Sequence, residues 1–308
     1  MKETDLLIVG AGTAGLTAAI YARRSALHCV VLEREMFGGQ IINTSDIENY
    51  PGMPGVDGAA FATALHQQAE SLGAEILFDD LLSLEKAGDG WFTAETTGGR
   101  IHAKAVIAAN GARHRKLGCE GEDAFMGRGV SYCATCDGAF YRGRTVAVVG
   151  GGNSALEEAL YLSAICGKVH LIHRRDTFRA HQKTVERVLA SPNIQIHYNA
   201  SVVRVEGDIK VTSILISSPD GEERLALDGV FVAIGLAPDN HLFAPLCQLD
   251  RDGYFLAGED CRTTCPGLYA AGDTRQKPLR QLVTAAADGA VAASLAAAYA
   301  AEEFSNGK

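Results

Sequence analysis

Asp5-Leu6-Leu7-Ile8-Val9-Gly10-Ala11-Gly12-Thr13-Ala14-Gly15, then an Ala-rich stretch over 16–24, then Cys29-Val30-Val31-Leu32-Glu33, is the segment that decides the fold. The first short apolar run suits a strand covered on both faces, and the Ala-rich stretch suits a helix. The order is strand, G-x-G-x-x-G, helix, strand, with an acid 18 residues beyond the third glycine. Gly10 permits the tight turn, Gly12 lets a pyrophosphate approach the backbone, and Gly15 lets the helix pack on the strand. Ala14 shares that turn. The helix N-terminus offers free N–H groups and positive dipole to phosphate, and Glu33 is placed to accept hydrogen bonds from a ribose hydroxyl.

The pattern returns 140 residues later. Thr145-Val146-Ala147-Val148-Val149 reads as a strand, Gly150-Gly151-Gly152-Asn153-Ser154-Ala155 as the turn, 156–166 as a helix and Val169-His170-Leu171-Ile172 as the next strand. Gly10 maps to Gly150, Gly12 to Gly152, Gly15 to Ala155 and Glu33 to His173. Arg174, Arg175 and Arg179 follow. An acid at that strand end suits a free 2′-hydroxyl, whereas Arg suits a 2′-phosphate through planar, multidentate donors. The first site is therefore expected to hold an unphosphorylated adenosine ribose and the second NADP(H). The bland alternative is a solvated basic face.

A chain of 308 residues is expected to form about two domains. Pro266-Gly267-Leu268-Tyr269-Ala270-Ala271-Gly272-Asp273 is a further short strand pattern, followed by an Ala-rich helix over 281–301. It suits a ribityl and phosphate site, or one more β-α unit. Val230-Phe231-Val232-Ala233-Ile234-Gly235 is a strand, and Pro238-Asp239-Asn240 reads as a boundary. The expected architecture is α/β, with two Rossmann-like dinucleotide-binding domains. A discontinuous FAD-binding domain, 1–112 and 243–308, would carry an inserted NADPH-binding domain, 113–242.

Lys plus Arg number 28 against 37 Asp plus Glu, a net charge of −9, which disfavours non-specific nucleic-acid binding. No span is expected to cross a membrane, because Asp288 and Gly289 interrupt the Ala-rich tail. Glu3 and Asp5 stand where a signal peptide would be basic. A cytoplasmic protein is expected.

Eight cysteines stand at 29, 119, 133, 136, 166, 247, 261 and 265. Cys133 and Cys136 form C-x-x-C, a redox or metal spacing. Structural zinc usually takes four ligands, and Cys261 and Cys265 have no nearby His, so no metal is expected and those two read as free thiols. Cys29 and Cys166 read as buried. Asp137 is a candidate proton donor or acceptor for thiol exchange, or simply a helix N-terminal acid. Nicotinamide delivers hydride and a disulfide accepts electrons poorly from it, so a flavin between them completes a path from NADPH through FAD to Cys133–Cys136 and an external disulfide.

Taken together, the sequence resembles the low-molecular-weight NADPH-dependent thioredoxin reductases over essentially its whole length. The resemblance rests on the two turns above, Gly38-Gly39-Gln40, Glu48-Asn49-Tyr50-Pro51-Gly52, Cys133-Ala134-Thr135-Cys136-Asp137-Gly138, His173-Arg174-Arg175 and Gly272-Asp273 with Arg280-Gln281. It implies flavin contacts at Gly39, Gln40 and Asn49, and FAD ligands at Asp273, Arg280 and Gln281. It also implies Cys136 as the thiol facing the flavin, Cys133 as the attacking thiol, Asp137 as acid–base residue and Arg128 as a thioredoxin contact. A homodimer and rotation of the NADPH domain are implied as well. Asn110 departs from the family's usual Thr, and Ser154 from a common Thr. Competing readings are a flavin-dependent dithiol oxidase using oxygen, a flavodoxin or ferredoxin reductase with structural cysteines, and a non-catalytic nucleotide sensor.

Overall fold

The computed structural model describes residues 1–44 and 47–304. The chain divides into two compact units, Met1–Arg113 with Ala237–Lys308, and His114–Leu236. The return crossing thus falls at 236/237, not at 242/243 as read from the polar Asp239-Asn240 pair. Those residues are an internal fixture of the first unit. Asn240 is 2% exposed, its Nδ2 donates to the carbonyls of Gly253 and Thr274 at 2.9 and 3.0 Å, and its Oδ1 accepts from Thr274 Oγ1 at 2.6 Å.

The first unit opens with β1 (Lys2–Val9), α1 (Thr13–Arg24), β2 (Cys29–Glu33), α2 (Gly58–Ser71), β3 (Glu75–Phe78), β4 (Leu81–Lys86), β5 (Phe92–Thr96) and β6 (Gly99–Ala108). They form one sheet in the order β3-β2-β1-β6-β5-β4. The β3-β2-β1-β6 part is parallel, and β4 and β5 meander antiparallel from it. Leu6, Leu7 and Ile8 are wholly buried because β1 is covered on both faces, which is why its apolar run is continuous rather than alternating. Asp57 caps α2 by accepting from Ala60 N at 2.8 Å, satisfying one otherwise orphaned amide.

The chain then leaves through β7 (Ala112–His114). The second unit holds β8 (Val130–Ser131), α3 (Ala134–Asp137), β9 (Thr145–Val149), α4 (Asn153–Ile165), β10 (Lys168–His173), α5 (Gln182–Ala190), β11 (Ile194–Tyr198), β12 (Ser201–Gly207), β13 (Val211–Ser218), β14 (Gly221–Ala226) and β15 (Gly229–Val232). A five-stranded parallel sheet runs β11-β10-β9-β15-β8. The β12-β13-β14 meander forms a separate antiparallel sheet. The chain returns through β16 (Leu236–Pro238), which pairs with β7.

Back in the first unit, β17 (Leu268–Ala270) adds parallel to β6 beside residues 106–108, beyond the stretch that pairs with β5. The chain ends in α6 (Leu282–Phe304), which packs on α1. This helix is 23 residues long and contains a window with a mean hydropathy of 1.4, enough by length and composition to cross a membrane, which corrects the expectation that no span qualifies. A core helix meets the same two criteria, and α6 buries Ala292, Ala293, Ala296 and Ala300. Nor do Asp288 and Gly289 interrupt it. Gly289 allows a close helix crossing, since a Cβ there would lie 2.2 Å from Ala14 O. Asp288 is 4% exposed and turned inward, where Arg275 and Lys277 neutralise it.

Candidate active site

In the first unit the chain turns from β1 into α1 through backbone that only glycine tolerates. Gly10 has φ +107°, and a Cβ there would lie 2.4 Å from Ala109 O. At Gly15 a Cβ would sit 1.8 Å from Gly10 O, so the helix meets the strand too closely for any side chain. Gly12 differs, for a Cβ there would meet nothing within 4 Å. The first and third glycines are thus required by packing, and the second borders open space that a phosphate can occupy. Glu33 ends β2 and accepts from Ala11 N at 2.8 Å and Glu35 N at 3.0 Å. A carboxylate has four acceptor sites, so two bonds leave capacity for ribose hydroxyls.

Residues far apart in sequence converge near this turn. Gly38 N donates to Ala11 O at 2.7 Å, and Gly39, with φ +64°, lies against Gly12. Gln40 Nε2 donates to Ala112 O. Asn49 Nδ2 donates to Gln281 Oε1 at 2.8 Å across 232 residues of chain. Gly272 lies beside Ala14, since a Cβ on Gly272 would be 2.9 Å from Ala14 Cβ. Asn110, the departure from the family pattern, donates to Asp239 O at 2.8 Å and Asn240 Oδ1 at 3.0 Å while accepting from Thr274 Oγ1 at 3.2 Å.

Among the described residues of this unit, two buried side-chain polar atoms have no protein partner, Asp273 Oδ1 and Arg280 Nε. The Arg280 guanidinium stands 4.4 Å over the Tyr254 ring, a cation–π contact that orients it. Burial pushes the Asp273 carboxyl above the ordinary carboxylate range, opposed by Lys277 and Arg280. Buried polar groups without partners are uncommon and call for a ligand. The open space at Gly12 and these two orphaned atoms fit a dinucleotide with hydroxyl and phosphate groups to satisfy them.

The second unit repeats the turn with one variation. A Cβ on Gly150 would lie 2.4 Å from Ala233 O and 2.6 Å from Ala155 Cβ. Ala155 is wholly buried, so the third position here has room for one methyl where Gly15 has none. Gly152 again borders open space. Asn153 Oδ1 accepts from His181 N at 2.7 Å, and Arg179 N donates to Gly151 O at 2.7 Å, fastening the loop after β10 to the turn. Ser154 is exposed. His173 lies 7% exposed, its Nε2 2.9 Å from Thr177 O and its ring stacked on Phe178 at 5.3 Å, so it shapes the strand end. Among the described residues Arg174, Arg175 and Arg179 have no ion-pair partner, and Arg174 and Arg179 are exposed. Three unpaired guanidinium groups beside a nucleotide turn suit a phosphomonoester.

In the same unit Cys133 and Cys136 are joined by a disulfide, with a Cα–Cα distance of 5.3 Å. Cys133 is the N-cap of α3 and Cys136 lies within its single turn. Asp137 ends that turn and its Oδ2 accepts from Ser131 Oγ at 2.7 Å. Ser131 also accepts from Cys133 N at 3.1 Å, and Thr135 Oγ1 is 3.4 Å from Cys133 Sγ. Ser131 gave no signal in the sequence, because a lone serine at the end of a two-residue strand belongs to no motif. Arg128 is exposed and donates to Ala124 O. The other six cysteines are free. Cys29, Cys166, Cys247, Cys261 and Cys265 are buried, and Cys119 is half-buried. Burial pushes the Cys29 and Cys166 thiols up to about 11, so they are inert at neutral pH.

Two nucleotide turns and a disulfide beside an acid define an α/β oxidoreductase that handles disulfides. The model of the pyridine nucleotide-disulphide oxidoreductases matches residues 4–289. A thioredoxin reductase of Treponema pallidum is 44% identical over 300 residues, covering 96% of this chain and 97% of its own. That of Listeria innocua is 43% identical over 305 residues, covering 98% and 95%. Among solved structures, the thioredoxin reductase of Streptococcus pyogenes superposes with a TM-score of 0.86 at 40% identity, over 96% of this chain and 98% of that one. The chain belongs to the pyridine nucleotide-disulphide oxidoreductase family.

Proposed function

We propose that this chain is an NADPH-dependent thioredoxin reductase, and the observation that carries the reading is the Cys133–Cys136 disulfide with Asp137 held beside it by Ser131. FAD held by the first unit would supply the chemistry that links a hydride donor to a disulfide, by taking hydride and giving up an electron pair. The first unit's turn with Gly10, Gly12, Ala14 and Gly15 takes the FAD pyrophosphate. Glu33 takes the ribose, and Gly39, Gln40, Asn49, Gly272, Asp273, Arg280 and Gln281 take the remainder. The second unit's turn with Gly150, Gly152, Asn153, Ser154 and Ala155 takes the NADPH pyrophosphate, and Arg174, Arg175 and Arg179 clamp its 2′-phosphate.

Two electrons break the Cys133–Cys136 bond and leave both sulfurs reduced. Cys133 Sγ then attacks the disulfide of oxidised thioredoxin, expelling one of its sulfurs as thiolate. Cys136 Sγ attacks Cys133 of that mixed disulfide, which restores Cys133–Cys136 and releases reduced thioredoxin. Asp137 moves the protons: it protonates the departing thiolate and takes the proton of the attacking thiol, with Ser131 fixing its carboxylate. The redox pair and the NADPH turn share one unit, so presenting each in turn to FAD on the other requires rotation of the units. Arg128 is a contact for thioredoxin, the enzyme acts as a homodimer, and a cytoplasmic setting keeps the product dithiol reduced. The dithiol oxidase alternative needs no nicotinamide site and leaves the three unpaired guanidinium groups without a role.

The test is alkylation. Anaerobic addition of NADPH should make Cys133 and Cys136, and no other cysteine, newly reactive towards iodoacetamide, as located by peptide mass. NADPH consumption without new alkylation at these two positions would show that the disulfide is not in the electron path.

A further inference from the structure

In each nucleotide turn the residue that ends the second strand reaches back to the position between the first two glycines. In the first unit that position is Ala11, whose N–H donates to Glu33 Oε2 at 2.8 Å. In the second unit the position is Gly151, and the strand-end residue is His173. Gly151 is not in the left-handed region, so its backbone does not call for glycine. What excludes a side chain is the imidazole: a Cβ on Gly151 would lie 2.1 Å from both Cε1 and Nδ1 of His173 and 2.6 Å from its Nε2. The same ring holds the loop that carries the arginines. Its Nε2 is 2.9 Å from Thr177 O, and because a carbonyl only accepts, Nε2 carries the proton. The ring also stacks on Phe178 at 5.3 Å, and Phe178 meets the Tyr198 ring at 5.1 Å. Arg179 N donates to Gly151 O at 2.7 Å, and Asn199 N to Arg175 O at 3.1 Å. The loop backbone is thus fixed at 175, 177 and 179, with His173 making the middle bond and seating the turn beneath it.

We infer that His173 is a positioning residue for the choice of NADP(H) over NAD(H): it locks the arginine loop onto the phosphate turn and does not itself bind the nucleotide. This rests on the reading of Arg174, Arg175 and Arg179 as a 2′-phosphate clamp. Glu33, its counterpart in the first unit, keeps acceptor capacity for a ribose, whereas His173 is 7% exposed and has its one ring N–H spent on Thr177 O. The three guanidinium groups have no ion-pair partner among the described residues, so no salt bridge holds their loop in place. A guanidinium fork binds phosphate well only when it is already aimed. If the loop had to be ordered on binding, that cost would be subtracted from affinity for the phosphorylated nucleotide, while a nucleotide that ends in a free 2′-hydroxyl would gain little from the clamp in either case.

The experiment is calorimetric titration of the FAD-loaded full-length enzyme with NADP⁺ and, separately, with NAD⁺, with circular dichroism to check the fold of each variant. His173→Asn is too short to reach Thr177 O, whereas His173→Gln can place its amide nitrogen where Nε2 stands. In His173→Asn the dissociation constant for NADP⁺ should rise by about ten- to thirtyfold and that for NAD⁺ by no more than about threefold. His173→Gln should recover most of the loss, to within about fivefold of the parent. Gly151→Ala, whose new methyl must displace the ring, should behave like His173→Asn, and combining the two should add no more than about threefold, because the ring is already gone. NADP⁺ binding in His173→Asn equal to the parent's, an equal loss for both nucleotides, or a loss in His173→Gln as large as in His173→Asn would each overturn the inference. The two levels separate in the parent. A parent that binds NADP⁺ and NAD⁺ alike removes the 2′-phosphate clamp and this role with it. A parent that prefers NADP⁺, with the preference intact in His173→Asn, removes the role of His173 alone.

Discussion

Cys136→Ser is expected to reduce thioredoxin turnover by on the order of 10⁴-fold or more while NADPH still bleaches the flavin absorbance. Serine cannot form the disulfide that receives the electron pair, nor can its hydroxyl resolve a mixed disulfide, so the cycle has no way to close. The substitution disturbs little else. Cys136 sits in a single helical turn and is half-buried, and the bonds of Asp137 and Cys133 to Ser131 do not involve it. The remaining Cys133 thiol should also trap oxidised thioredoxin as a stable mixed disulfide, visible on a non-reducing gel. Full thioredoxin turnover by this variant would move the protein to the reading in which these cysteines are structural, as in a flavodoxin or ferredoxin reductase.

The double substitution Arg174→Ala with Arg175→Ala should lower kcat/KM for NADPH by about 10²- to 10⁴-fold, each charge-assisted bond to phosphate being worth about 1.5–3 kcal/mol. For NADH, which has no 2′-phosphate, the change should stay within about threefold. Neither guanidinium has an ion-pair partner among the described residues, so their removal breaks no protein contact that would lower both rates together. Steady-state kinetics with the two nucleotides makes the comparison. Equal losses for NADPH and NADH would remove the 2′-phosphate argument and leave Arg174 and Arg175 as a solvated basic face.

The parts of this protein legible from sequence are those where chemistry is local. Gly10 and Gly15 announce themselves because their close approaches to Ala109 O and to Gly10 O exclude every side chain. The same logic explains why Ala155 can replace the third glycine, since its Cβ meets space that Gly150 leaves open. The Cys133–Cys136 pair is readable because three residues of separation place both thiols in one turn. The opposite failure occurs at Asp288. In an Ala-rich tail an aspartate followed by glycine reads as a break, whereas the helix runs through and turns the carboxylate onto Arg275 and Lys277. Its partners lie 13 and 11 residues upstream, in a loop with no periodicity to reveal them. Asp239-Asn240 misleads in the same way. Polar residues after a proline read as a boundary, but Asn240 is a buried hub whose partners, Gly253, Thr274 and Asn110, are set by tertiary structure. The pairing of Asn49 with Gln281 is implied by no spacing at all.

Electrons are expected to pass from NADPH to thioredoxin through this one chain. This path is tested most directly by following NADPH oxidation at 340 nm by the purified protein, anaerobically, with and without oxidised thioredoxin. Rapid oxidation is expected with thioredoxin present and, without it, oxidation that stops once the enzyme's own flavin and disulfide are reduced. Oxidation that requires oxygen and ignores thioredoxin, or a flavin that NADPH does not reduce, would contradict this path.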